Sequence, residues 1–154
     1  MIIIGEKLNG AIKSVARAIQ ERDSAFVRDL ATRQLESRAD YLDICSGVPE
    51  QDAEVLTWMI DLIQADHPDV RFSIDSPNPD TILTCMEKCK NPGMINSVSL
   101  ETGKPEKLFR AAAENMGWNI IALLLDNAGM PDSVEKRMKN FEGILARAKE
   151  FGIA

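Results

Sequence analysis

Short apolar runs alternate with longer stretches of helical periodicity five times along the chain, at a spacing of roughly 25 to 35 residues. The runs are Met1 to Gly5, Tyr41 to Ile44, Val70 to Asp75, Met94 to Ser97 and Asn119 to Leu125. Between them Asp23 predicts an N-cap for a helix carrying Phe26, Val27, Leu30, Ala31 and Leu35, preceded by a short helical turn over Ile12 to Arg22. Val55, Leu56, Met59, Ile60 and Ile63 mark the next helix, and Pro77 with Asn78-Pro79 ends the third run and opens a helix with Ile82, Leu83 and Met86. Leu108 to Met116 form part of a further helix. Val134, Met138, Phe141, Ile144, Leu145 and Ala148 make a last one, closed by Gly152. Such alternation requires a parallel α/β fold. The nearly unbroken apolar run Asn119 to Leu125 reads as a strand buried on both faces, and Glu6-Lys7-Leu8-Asn9-Gly10 reads as a polar loop leaving the first strand.

No Ser/Gly linker or low-complexity stretch divides the 154 residues, so residues 1–154 are expected to form a single domain. The 24 acidic against 18 basic residues give a net charge of −6 with no basic stripe, which argues against nucleic acid as a partner. The first apolar run is too short for a membrane anchor and has no cationic leader. Cys45, Cys85 and Cys89 form no even disulfide framework, and reduced thiols point to a cytoplasmic location.

In parallel βα folds, ligands bind at the C-terminal ends of the strands. Asp43, Asp75 and Asn96 each follow or end an apolar run and precede a helical pattern. A carboxylate accepts two N–H donors side by side, and an amide donates and accepts at once. Helix capping is the competing reading for any one of them. Three in register on successive strands favour a shared site.

The residues around these positions resemble a known family. Ile3-Ile4-Gly5-Glu6-Lys7-Leu8-Asn9-Gly10, Leu42-Asp43 with Gly47, Ser73-Ile74-Asp75-Ser76, and Lys88-Cys89-Lys90-Asn91 running into Met94-Ile95-Asn96-Ser97 are similar to the pterin-binding methyltransferases. These move a methyl group between methyltetrahydrofolate and the cobalt of a corrinoid protein, and the folate domain of cobalamin-dependent methionine synthase is similar to them. The resemblance implies a (β/α)8 TIM barrel of which this chain holds about five of the eight βα units, a single pterin-binding domain over residues 1–154 forming its N-terminal part. It implies that Asp75 and Asn96 are the catalytic and pterin-binding residues, hydrogen-bonding the ring edge, and that Asp43 and Asn9 stand at the same mouth in ring contact or support.

The implied substrate is tetrahydrofolate or methyltetrahydrofolate, and the implied partner a separate corrinoid (cobalamin) protein, because the chain has no Asp-x-His-x-x-Gly cobalt-ligand pattern. Transfer from N5 needs that nitrogen protonated or strongly hydrogen-bonded, since a tertiary amine leaves poorly; in reverse, N5 attacks the methyl on cobalt. The sequence does not choose a direction.

Two departures stand out. Cys45 occupies a position where the family commonly has Asn, so one polar contact is lost or replaced. The resemblance implies a later acidic ligand and an N5-facing asparagine that would lie beyond Ala154, and a five-stranded piece with open edges and an apolar interior is expected to form homo-oligomers or stay incompletely ordered. Dihydropteroate synthase, on a similar barrel, is the alternative enzyme, but its glycine-rich acidic segment and Ser/Phe-rich first loop are not visible. A non-catalytic binding subunit is the alternative outside enzymes.

The remaining features read as structural. His67, the single histidine, reads as a solvated loop residue and supports no metal site. Cys85 and Cys89 read as a packed helix face, and Met59, Met86 and Met138 as core. Neither a Gly-x-x-x-x-Gly-Lys-Ser/Thr phosphate loop nor Gly-x-Gly-x-x-Gly is present.

Overall fold

In the computed structural model, which describes residues 1–153, all five apolar runs contribute strands that pair side by side in the order of the chain. The elements are β1 (Ile4–Asn9), α1 (Lys13–Glu21), α2 (Ser24–Glu36), β2 (Tyr41–Cys45), a 3-10 turn (Pro49–Gln51), α3 (Asp52–Asp66), β3 (Phe72–Asp75), α4 (Pro79–Lys88), β4 (Met94–Leu100), α5 (Lys104–Glu114), β5 (Asn119–Asp126) and α6 (Val134–Glu150). Every strand pair is parallel. Right-handed crossovers between strands in sequential order carry each helix to the same side of the sheet. A doubly wound sheet would instead reverse direction part-way. The chain therefore builds five units of the (β/α)8 barrel type.

The pleat divides the sheet's residues into two chemistries. Leu42 pairs with Phe72, Ile44 with Ile74 and Ile74 with Ile95. All are buried under the helices in one cluster with Val55, Leu56, Met59, Ile60, Ile82 and Leu108. At roughly 1.5 to 3 kcal/mol for each large side chain taken from water, this face supplies the drive to fold. The alternate positions pair Asp43 with Ser73, Ser73 with Met94 and Asp75 with Asn96. Over β2 to β4 the face turned from the helices is therefore mainly polar where an apolar interior is expected, and at β5 it turns apolar, with Ile121 opposite Asn96.

Local signals explain the helix ends. Asp23 caps α2 by accepting from the Phe26 N–H at 3.0 Å, and Asn78 caps α4 by accepting from the Asp80 N–H at 3.0 Å. Gly152, at φ +73°, lets Ile153 donate back to the Ala148 carbonyl and so ends α6.

Several boundaries differ from the sequence expectation. Glu6 to Asn9 are strand, not loop: β1 bulges by one residue between Gly5 and Leu8, and the Gln34 carboxamide accepts from the Lys7 N–H there at 2.9 Å. The stretch after Gly10 forms a full helix, α1, rather than a turn. β3 begins at Phe72, and β4 continues to Leu100, so Asn96 lies inside its strand and not at the end. β5 is not buried on both faces, because it is the last strand of the sheet and Leu123 is exposed. α6 packs through Asn140, Ile144 and Ala148, while Val134, Met138, Phe141 and Leu145 form an exposed stripe, which removes Met138 from the core. His67 is half-buried rather than solvated, with Nε2 2.9 Å from the Thr32 hydroxyl. No described helix is long and apolar enough to cross a membrane.

Candidate functional site

Parallel register brings three of the four singled-out residues together. Asp75 ends β3 and pairs directly with Asn96 on β4, while Asp43 lies one strand away on β2. The Asn96 Nδ2 donates to Asp43 Oδ1 at 3.1 Å, and the Ser73 hydroxyl donates to the same oxygen at 2.6 Å. Asp43 is therefore a buried support that turns the Asn96 amide so that its carbonyl oxygen faces away.

Asn9 sits at the same end, paired with Cys45, but its Oδ1 accepts from the Ala11 N–H at 2.8 Å and shapes the turn after β1. No hydrogen bond joins it to the other three among the described residues. Its bond with the Ala11 N–H is that of an Asx turn.

Electrostatics sharpen the picture. Burial raises the Asp75 carboxyl above its ordinary value; the neighbouring Cys45 thiol opposes this, while Asp52 and Glu6 add to it. Burial also raises Asp43, against the bonds from Ser73 and Asn96. The Cys45 thiol is pushed up to about 11, first by burial and then by the negative charge of Asp75, so it stays a neutral donor. A group rich in N–H donors suits such a site, and an anion does not.

Sequence reasoning missed the serines and one acid that frame the cluster. Asp52, the first residue of α3, is buried, and its two oxygens accept from Ser46 Oγ at 2.5 Å and from Ser76 Oγ. The signal was a repeat: Asp43-Ile44-Cys45-Ser46 and Ser73-Ile74-Asp75-Ser76 share an x-Ile-x-Ser pattern, and the strand register superposes them, Asp43 on Ser73 and Ile44 on Ile74.

The site is a concave face and not a closed cavity. One groove, of about 440 Å³ between α4 and α5 and lined by Leu83, Met86 and Lys107, lies on the helix side. No cluster of His, Cys, Asp and Glu among the described residues could hold a metal ion.

Residues 5–154 match the family described as pterin binding enzyme. The chain belongs to the pterin-binding enzyme family. Within this family it is 42% identical over 155 residues to the methylcorrinoid:tetrahydrofolate methyltransferase of Eubacterium limosum, a match covering 99% of this chain and 57% of that protein. The chain thus spans little more than half the length of this relative.

Proposed function

We propose that this chain reads the pterin of tetrahydrofolate in a methyltransferase that moves a methyl group between folate N5 and the cobalt of a corrinoid carried by a partner protein. We further propose that residues 1–154 act as one pterin-binding domain forming the N-terminal part of a TIM barrel. The observation that carries the reading is the register pair Asp75 and Asn96, with the Asn96 amide held by Asp43 on the polar face.

A pterin edge displays an amino group and a ring N–H side by side. The Asp75 carboxylate can accept both, and the Asn96 amide, oriented by Asp43, offers a carbonyl and a remaining N–H to the same edge. Fixing that edge fixes where N5 stands, which is how a protein accelerates a transfer whose nucleophile and leaving group belong to its substrates. The relative's name begins with the methylcorrinoid, which supports transfer from cobalt to folate. In that direction the N5 lone pair attacks the methyl carbon, the cobalt–carbon pair of electrons stays on cobalt as Co(I), and the N5 proton is released.

The acidic field of Glu6, Asp43, Asp52 and Asp75 favours an N–H-rich ring over the pyrophosphate-bearing substrate of the dihydropteroate synthase alternative. The test mixes the protein with a methylated corrinoid protein and tetrahydrofolate, following Co(I) by absorbance and methyltetrahydrofolate by chromatography. Formation of Co(I) together with methyltetrahydrofolate is expected. The absence of both transfer and folate binding by calorimetry would overturn the reading.

A further inference from the structure

The loops that follow β2 and β3 have the same construction. Ser46 Oγ accepts from the Val48 N–H at 3.1 Å, and Ser76 Oγ accepts from the Asn78 N–H at 3.1 Å. Each hydroxyl then donates its single proton to one oxygen of Asp52. The residues just before the two serines are Cys45 and Asp75, which end the adjacent strands β2 and β3. One buried side chain on α3 therefore ties together the two loop starts from which the site's side chains project.

A carboxylate is the side chain this bridge requires. Both serines approach as donors, so the bridging group must accept at both ends. A carboxamide would turn an NH2 group toward one serine. That hydroxyl would have to redirect its proton to the carbonyl two residues on, 3.4 Å away in both loops, a weak bond at that length. Burying a carboxylate is costly unless its lone pairs are satisfied. Here that cost is met by hydroxyls that do nothing for the core except fix the two loops.

We propose that Asp52 is a positioning residue: through Ser46 and Ser76 it locks Cys45 and Asp75 into one unit and so pre-organises Asp75 for the pterin edge. Only the last step rests on the folate reading above. The lock itself is a property of the loops and can be measured without ligand.

The test compares Asp52→Asn, Ser46→Ala and Ser76→Ala with the unaltered protein. It reads alkylation of each cysteine by mass spectrometry, tetrahydrofolate affinity by calorimetry, and thermal midpoint. Cys45 alkylation should rise severalfold in all three variants, while the buried Cys85 keeps its rate and Asp52→Asn weakens folate binding by about tenfold, the loss of one hydrogen bond. Equal acceleration at Cys45 and Cys85 would mean general loosening and would overturn the proposal, as would unchanged Cys45 reactivity. If Cys45 responds but the unaltered protein binds no folate, the lock stands and the folate reading falls. If Asp52→Asn does not fold, the two serine variants, each removing one arm, decide the matter alone.

Discussion

Asp75 and Asn96 are register partners on adjacent parallel strands, one at the last residue of its strand and the other in the interior of a strand that runs on to Leu100. The offset of the two strand ends leaves the Asp75 carboxylate beside the Asn96 amide with β4 rising beyond both. If this pair reads the pterin, Asp75→Ala should weaken tetrahydrofolate binding by about 1.5 to 3 kcal/mol, the range for hydrogen bonds to a charged group. Titration calorimetry measures it, and an unchanged affinity would remove Asp75 from the site.

Burial lifts the carboxyls of Asp75 and Asp43 above the ordinary value of 3.8. The folded protein therefore holds these protons more tightly than the unfolded chain. The resulting contribution to stability is present below the unfolded value and is lost as pH rises through the folded one. Asp75→Asn, which never ionises, should accordingly gain thermal stability relative to the unaltered protein as pH rises from about 4 to 7. Melting series at several pH values would show the two curves diverging upward; convergence would contradict the assignment.

Asp43 receives both the Ser73 hydroxyl and the Asn96 amide on one oxygen. Asp43→Ala leaves the fully buried Ser73 hydroxyl without its acceptor and should cost about 1 to 3 kcal/mol in urea denaturation. Asp43→Asn keeps an acceptor and should cost less. Equal losses from the two substitutions would show that the acceptor is not what matters.

The turn after β1 presses backbone against backbone on the loop after β2. A Cβ added at Gly10 would lie 1.9 Å from the Ser46 carbonyl oxygen, and Gly47 opposite it holds φ +66°. Gly10→Ala should therefore destabilise by about 1 to 3 kcal/mol through overpacking, with an unchanged denaturant slope. A neutral result would mean the loops can part freely.

On α6, Ile144 is 4% exposed and Phe141 is 42% exposed. In the 154-residue chain, Ile144→Ala should cost about 2 to 4 kcal/mol, while Phe141→Ser stays within about 0.5 kcal/mol. A large loss at Phe141 would reveal that the stripe of Val134, Met138, Phe141 and Leu145 is covered in solution, which sedimentation would then register as association.

The parts of this architecture that were legible in the sequence are those where local chemistry and tertiary context agree. Asp23, Asn78 and Gly152 end helices where their chemistry says they should, and Asp75 closes a strand at a Ser-Pro boundary. Asn96 pairs with Asp75, but its place within β4 is hidden from the sequence, because Val98, Ser99 and Leu100 continue the strand through a register irregularity that no periodicity encodes. Glu6 and Lys7 looked like loop because a bulge exposes both. Met138 and Phe141 looked like core because helical spacing reports that a face is apolar, not whether anything lies against it. Asp52 was invisible for another reason: an acidic residue at a helix start is ordinary, and only the folded register brings Ser46 and Ser76 to its two oxygens.

The division of the sheet into an apolar side under the helices and a polar side away from them bears on how such a protein can change. Leu42, Ile44, Phe72, Ile74 and Ile95 carry the folding energy, and their immediate neighbours in sequence, Asp43, Ser73, Asp75 and Asn96, project the other way. An exchange at Asp75 or Cys45 leaves the packed layer untouched, so ligand preference can drift one residue at a time on a scaffold that need not be rebuilt.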